Sequence, residues 1–331
     1  MPLYDLKNSP LLHEKSPKAR HFTPLGHLLL FFAVFYASNL LQSVLSSLFL
    51  LIFQPQKMLE LSSAMMNGDS IAFAKGMSEL MSTREFLLFS LFATALTIVA
   101  VILFVRLIER RRLATIGLRT KYAVRHYLIG LLLGTLLFSG AAGICALNGA
   151  ASFRLTDSLD APWLIAFFLG FVVQGASEEI LLRGYFMMSF TENRKSPISA
   201  ILISAILFAL MHSENAGFGI LPFINITLFG IVASVLMLRT NSILPSLALH
   251  TAWNFAEGCI FGTSVSGLPT LPTVLIGTVD EGKSLTNGGV FGPEGGLAVT
   301  AVLIVALMLV ICVPSNRGTK ASAEETSEPA A

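Results

Sequence analysis

Six side chains able to do chemistry sit at helical spacings inside apolar sequence. Ser177-Glu178-Glu179-Ile180-Leu181-Leu182-Arg183-Gly184 places two carboxylates and a guanidinium between the apolar runs 161–174 and 187–190. Phe208-Ala209-Leu210-Met211-His212 ends a run of Ile, Leu, Ala and Phe, and His250-Thr251-Ala252-Trp253-Asn254 sets an imidazole and a carboxamide four residues apart. Insertion scales put a charge at the centre of a membrane helix at a cost of about 2.5–3.5 kcal/mol, so ionisable residues there mark function by default.

Spacing separates the two acids. Glu179 and Arg183 are four apart in the favourable acid-before-base order and are expected to neutralise each other. Glu178 lies about 100° round the helix and has no such partner, which leaves its carboxyl free for acid–base work. Locking neighbouring helices together suits Glu179 and Arg183 as well as a functional role does, and suits Glu178 less. A lone His212 at a span end is more often interfacial than catalytic, whereas His250 and Asn254 on one face are harder to explain as helix glue. Glu257 extends that face, but near the span end, where it is expected to be solvated.

Together the groups describe hydrolysis. A carboxylate with a histidine can activate a water, and a second histidine with an amide can donate to the oxyanion formed when water attacks a carbonyl. An acyl or peptide bond is thereby cut without a serine or cysteine nucleophile. Glu178, His212 and His250 also have the composition of a hydrolytic zinc site with an open position. Two other classes use buried polar groups: a proton-coupled transporter, which inverted repeats or broken helices would betray, and a non-catalytic membrane scaffold, which has no need of such a set. No internal repeat is evident.

These residues need a membrane to hold them. Of 331 residues 54 % are hydrophobic and only 13 % charged, and the mean hydropathy is +0.73, well outside soluble habit. The expected fold is all-α, a polytopic helical bundle of about eight spans near 27–53, 86–108, 127–148, 162–190, 197–213, 219–238, 243–262 and 297–313, with the catalytic core in spans four to seven. A net charge of +2, with the basic residues in loops beside the membrane, argues against nucleic acid and for the lipid bilayer as partner. Cys145, Cys259 and Cys312 show no CxxC spacing and are expected to be packing residues.

Basic residues in the amino tail, in the loop 109–126, at Arg194 and Lys195, at Arg239 and at Arg317 and Lys320 place both termini in the cytoplasm. No cleavable signal is visible ahead of the first span. The chain divides into a cytoplasmic tail 1–26, a variable two-span segment 27–104, a catalytic domain 105–313 and a disordered tail 314–331. Residues 54–85 suit an amphipathic helix or a plain loop on the outer surface. Residues 263–296, with Gly288-Gly289-Val290-Phe291-Gly292-Pro293-Glu294-Gly295-Gly296, lack the Lys and Ser/Thr of a phosphate loop and are expected to form a tight-turning outer lid.

Glu178-Glu179-x-x-x-Arg183, Phe208-x-x-x-His212 and His250-x-x-x-Asn254, in that order in three spans, resemble the CAAX prenyl protease and bacteriocin-processing family of intramembrane endopeptidases, often labelled Abi or lysostaphin-resistance-like. Arg112–Arg119 with Ile116-Gly117-Leu118, Phe229-Gly230, Arg239-Thr240-Asn241-Ser242 and Phe291–Gly296 add to the likeness, which covers about residues 105–313. The resemblance implies that Glu178 and His212 activate the water, that His250 and Asn254 stabilise the oxyanion, and that Glu179 and Arg183 support them. It favours a glutamate-dependent mechanism with no cofactor, with Zn2+ as the alternative. The implied substrate is a membrane-associated protein or peptide, in CAAX-type processing, and the implied setting is the plasma membrane of a bacterium.

Overall fold

The computed structural model describes residues 3–191, 196–268 and 272–312. Arg194, Lys195, Arg317, Lys320 and the tail expected to be disordered lie outside them. Among the described residues thirteen α-helices carry most of the regular structure: α1 (Pro24–Phe53), α2 (Pro55–Met66), α3 (Ser70–Met81), α4 (Arg84–Ala93), α5 (Ala95–Leu103), α6 (Ala123–Leu147), α7 (Ala161–Glu179), α8 (Met188–Thr191), α9 (Pro197–Leu210), α10 (Ile220–Thr240), α11 (Leu244–Phe255), α12 (Ser284–Asn287) and α13 (Leu297–Cys312). Prolines 24, 55, 162, 197 and 245 stand in the first turns of α1, α2, α7, α9 and α11, where the missing N–H costs nothing and φ is already helical.

The all-α membrane bundle is as expected, but the spans are unequal. Among the described residues five helical stretches are long and apolar enough to cross a bilayer: Pro24–Phe53, Arg84–Ile108, Ala123–Leu147, Ala161–Thr191 and Ile220–Thr240. The fifth and eighth expected spans are shorter, α9 with 14 residues and α13 with 16. At 1.5 Å per residue they reach about 21 and 24 Å, against roughly 30 Å of hydrocarbon. Hydropathy marked them as apolar, but turns at His212 and Gly296 end or start them early. The seventh is α11, extended by a π-helical turn, Ala256–Ile260.

The connecting segments are structured as well. Residues 54–85 form two helices, α2 and α3, that bury Leu61 and Leu80 with Leu50 and Phe86. A two-stranded antiparallel sheet pairs Ala151–Leu155 with Leu275–Val279, Ala151 opposite Val279. The glycine-rich stretch expected as an outer lid is buried from Phe291 to Gly296. Asn225, inside α10, donates from Nδ2 to the carbonyls of Glu294 and Gly296 at 2.7 and 2.9 Å and draws the stretch inward. A buried carbonyl in hydrocarbon needs such a donor.

Nor is the amino tail free. Leu6 and Leu11 are buried, Ser9 Oγ donates to Leu238 O at 2.7 Å, and the Leu11 N–H donates to Asn241 Oδ1 at 3.2 Å. Glu14 pairs with Arg119 at 2.6 Å, and Arg239 reaches Ile311 O at 2.7 Å. The tail, the Arg112–Arg119 loop, the α10–α11 turn and the end of α13 therefore share one end of the bundle, while the sheet lies elsewhere. Buried Glu109 meets Arg111 at 3.0 Å and His27 at 3.5 Å, and Arg111 also donates to Ser189, tying α1 to α8. Cys145 and Cys259 pack in apolar clusters as expected, whereas Cys312 is exposed.

Closest approach joins α6 to α11. Gly130 and Gly134 share one face of α6, four residues apart, as in close-packed membrane helices. A Cβ on Gly130 would stand 2.7 Å from Ala248 Cβ and one on Gly134 2.9 Å from Ala252 Cβ, with the carbonyls of Pro245 and Leu249 nearer still. Gly134→Val is therefore expected to overpack the contact and destabilise by about 1–3 kcal/mol. Unfolding of the purified protein in detergent checks this, and an unchanged midpoint would show that α11 yields without loss.

Candidate active site

The helix that carries the acid doublet changes its winding just beyond it. α7 ends at Glu179, and Ile180–Met187 continue as a wide π-helical stretch into α8. α11 does the same after Phe255. Such stretches recur at functional sites because they re-aim side chains within a continuous helix. Here the doublet and Asn254 each sit on the last turn before the change.

Glu179 and Arg183 pair as the spacing predicts, Arg183 Nη1 donating to Glu179 Oε1 at 2.9 Å with both side chains fully buried. Glycine at 230 admits the guanidinium, since a Cβ there would stand 2.8 Å from Arg183 Nη2. The cation also lies over the Phe208 ring at 4.1 Å. A further bond was not legible: His250 Nδ1 donates to the same Glu179 Oε1 at 3.0 Å. Glu179 thus fixes the imidazole that leads the third motif, and with Nδ1 committed, Nε2 is the atom left to meet a ligand.

Glu178 stands apart from that pair. His250 Nε2 is 3.7 Å from Glu178 Oε2, and that oxygen accepts no hydrogen bond from the described residues. Glu178 Oε1 accepts from Gln174 Nε2 at 2.6 Å, and Gln174 Oε1 in turn accepts from Asn254 Nδ2 at 3.0 Å. Gln174 therefore joins the acid of the first motif to the amide of the third. It was absent from the expected set, although it lies four residues before Glu178, the spacing that identified the Glu179 and Arg183 pair.

His212 lies in the turn beyond α9. Its Nδ1 donates to Phe208 O at 2.9 Å, which leaves Nε2 as the acceptor in the neutral ring. The Phe208 ring links the two histidines, its centroid 5.0 Å from that of His212 and 5.8 Å from that of His250.

Glu178, His212, His250 and Asn254 all line one cavity of about 370 Å³. That is far larger than a water and within the range of ligand pockets. Asn39 and Gln42 from α1, and Thr94 and Thr97 at the join of α4 and α5, line it as well, so the first two spans form part of its wall. Glu257, expected to be solvated, is fully buried, because the π-helical turn carries it inward. The donor set for a metal, Glu178, His212 and His250, does not gather in this arrangement: among the described residues no group of three His, Cys, Asp or Glu side chains is placed to hold an ion.

If Gln174 positions both neighbours, Gln174→Leu lowers kcat by about tenfold to 10²-fold with a smaller effect on KM, since small misplacements of reacting groups have such effects. A rate within about twofold of wild type would make the bridge incidental.

No curated protein and no solved structure matches the chain. Residues 160–256 match the family described as Rce1-like: Type II CAAX prenyl endopeptidase Rce1-like. The matched stretch runs from the start of α7 to the end of α11 and contains all three motifs. Over this segment the chain is similar to the CAAX protease family that its motifs resemble.

Proposed function

We propose that this protein is an intramembrane endopeptidase that hydrolyses a peptide bond of a membrane-associated protein or peptide. The observation that carries the reading is the unbonded Glu178 Oε2 facing His250 Nε2 across 3.7 Å on the wall of a cavity inside the bundle. The family match supports the reaction class.

In the proposed mechanism Glu178 and the Nε2 of His212 take a proton from water as its oxygen attacks the scissile carbonyl. The resulting oxyanion is met by the Nε2 proton of His250 in its imidazolium form and by an Nδ2 proton of Asn254, an amide that gives only one of its two N–H groups to Gln174. Collapse breaks the C–N bond, and the proton taken from water passes to the departing amine. One carboxyl and one amine result. Glu179 and Arg183 keep His250 aimed throughout. No step passes through a metal ion.

The end of the bundle that gathers the amino tail, the Arg112–Arg119 loop and Arg239 is the cytoplasmic face in this reading, on the distribution of basic residues. A bacterial plasma membrane is the setting that the family likeness favours. Residues 105–313 are the proposed catalytic domain, with 27–104 as the more variable part.

The test is cleavage of membrane-tethered peptides by the purified protein in liposomes, with products weighed by mass spectrometry in ordinary and 18O-labelled water. A single internal cut that places one 18O in the new carboxyl is expected, at a rate unchanged by chelators. Intact peptides throughout would end the endopeptidase reading. Loss on chelation, restored by zinc, would replace the metal-free mechanism with the metal one.

A further inference from the structure

Each of the other deeply buried glutamates has a cation or imidazole beside it. Glu109 has Arg111 and Glu179 has Arg183. Glu294 and Glu257 differ. The Glu294 carboxyl, on the cavity wall and 9 % exposed, is held only by neutral donors: Trp253 Nε1 at 3.0 Å on Oε1 and the Ser266 hydroxyl on Oε2. Neutral donors fix its position without cancelling its charge. Beside it lies Glu257, fully buried.

Among the described residues that line the cavity there is no lysine or arginine. The acids on its wall are Glu178 and Glu294, and Trp253, which holds Glu294, is the neighbour of Asn254. Apolar Val265, Leu268, Val299 and Leu303 line the cavity too. A fixed carboxyl beside apolar surface is the complement of one side-chain chemistry, a long aliphatic stem that ends in a cation.

We propose that Glu294 makes the cavity selective for a peptide with a lysine or arginine side chain next to the bond that is cut. This deepens the endopeptidase reading and rests on it for the word "cut".

Binding tests the site without turnover. In Glu178→Gln protein embedded in nanodiscs, fluorescent membrane-tethered peptides carry a single lysine scanned along the sequence, each matched to a glutamine peptide at the same place. At one position the lysine peptide is expected to bind at least about tenfold more tightly, and Glu294→Gln is expected to reduce that ratio to within about twofold of unity. Equal binding at every position in protein that keeps Glu294 overturns the proposal with no need of the second variant. A ratio that survives Glu294→Gln in folded protein overturns it as well.

Cleavage by protein with Glu178 intact separates the two readings. A binding preference with no cleavage of any peptide refutes the hydrolysis and leaves the cation site standing. Cleavage without preference refutes the cation site and leaves the hydrolysis.

Discussion

Glu178→Gln is expected to lower turnover of a membrane-tethered peptide by about 10²–10⁴-fold, the usual worth of a positioned acid–base group, and to leave the fold intact. Both halves follow from its surroundings. Glu178 side-chain exposure is 21 %, and among the described residues it forms no ion pair with an arginine. Its one hydrogen bond, from Gln174 Nε2 to Oε1, can be kept by the carbonyl of the new amide. What the amide cannot do is take a proton from water, and proton transfer is the task assigned to the unbonded Oε2. His212→Ala should fall in the same range, because its Nδ1 is committed to Phe208 O and its Nε2 is the nitrogen assigned to the water. Single-turnover rates in liposomes and the midpoint of thermal unfolding measure the two halves separately. Full activity in the glutamine variant would dismiss Glu178 as the base. Loss of activity with a collapsed melt would show instead a structural acid.

Much of that site was legible because charge in hydrocarbon is costly enough to be conspicuous. Glu178, Glu179, Arg183, His250 and Asn254 announce themselves against Ile, Leu and Phe, and the four-residue rule sorted the acids into a paired and an unpaired one. Uncharged amides drew less notice. Gln174 sits in the same apolar run and bridges Glu178 to Asn254, and Asn225 sits inside α10 and gathers the glycine-rich stretch. Each is an amide whose donors must be met within a membrane helix, a demand visible in the sequence but weaker than that of a carboxylate.

Other features had no local signal. Gly288 and Gly292 have φ of 81° and 95°, so glycine there does report tight turning, as expected. Composition carries no information on which side of the turn faces protein, and burial of Phe291–Gly296 depends on Asn225, more than sixty residues earlier. The second hydrogen bond of Glu179, to His250 seventy-one residues on, is likewise a tertiary fact. Helical spacing named one partner for this acid, and packing of α7 against α11 supplied the other. The close α6 contact was written in the sequence as Gly130-Leu131-Leu132-Leu133-Gly134, but small residues four apart acquire meaning only once the facing helix is known.

Glu179→Ala separates the second acid from the first by its effect on stability. Arg183 is fully buried, and removal of its counter-ion leaves a guanidinium in the interior with no negative partner on its own helix face. Broken buried pairs of this kind typically lose about 3–5 kcal/mol, far more than an exposed pair would. The same substitution takes the acceptor from His250 Nδ1, so the ring is no longer held with Nε2 toward Glu178, and turnover should fall by at least about 10²-fold even in the molecules that remain folded. Glu179→Leu combined with Arg183→Met removes both charges and fills similar volume. It should recover most of the lost stability, since apolar replacement of a buried ion pair is often neutral or better. It should not recover turnover, because the imidazole still lacks its acceptor. Unfolding midpoints and single-turnover rates for Glu179→Ala and for the double variant form the test. A single variant that loses less than about 1 kcal/mol would place Arg183 in contact with water or lipid headgroups. A double variant that regains activity would show that His250 needs no aim from Glu179, and would leave the pair as a fastening between helices.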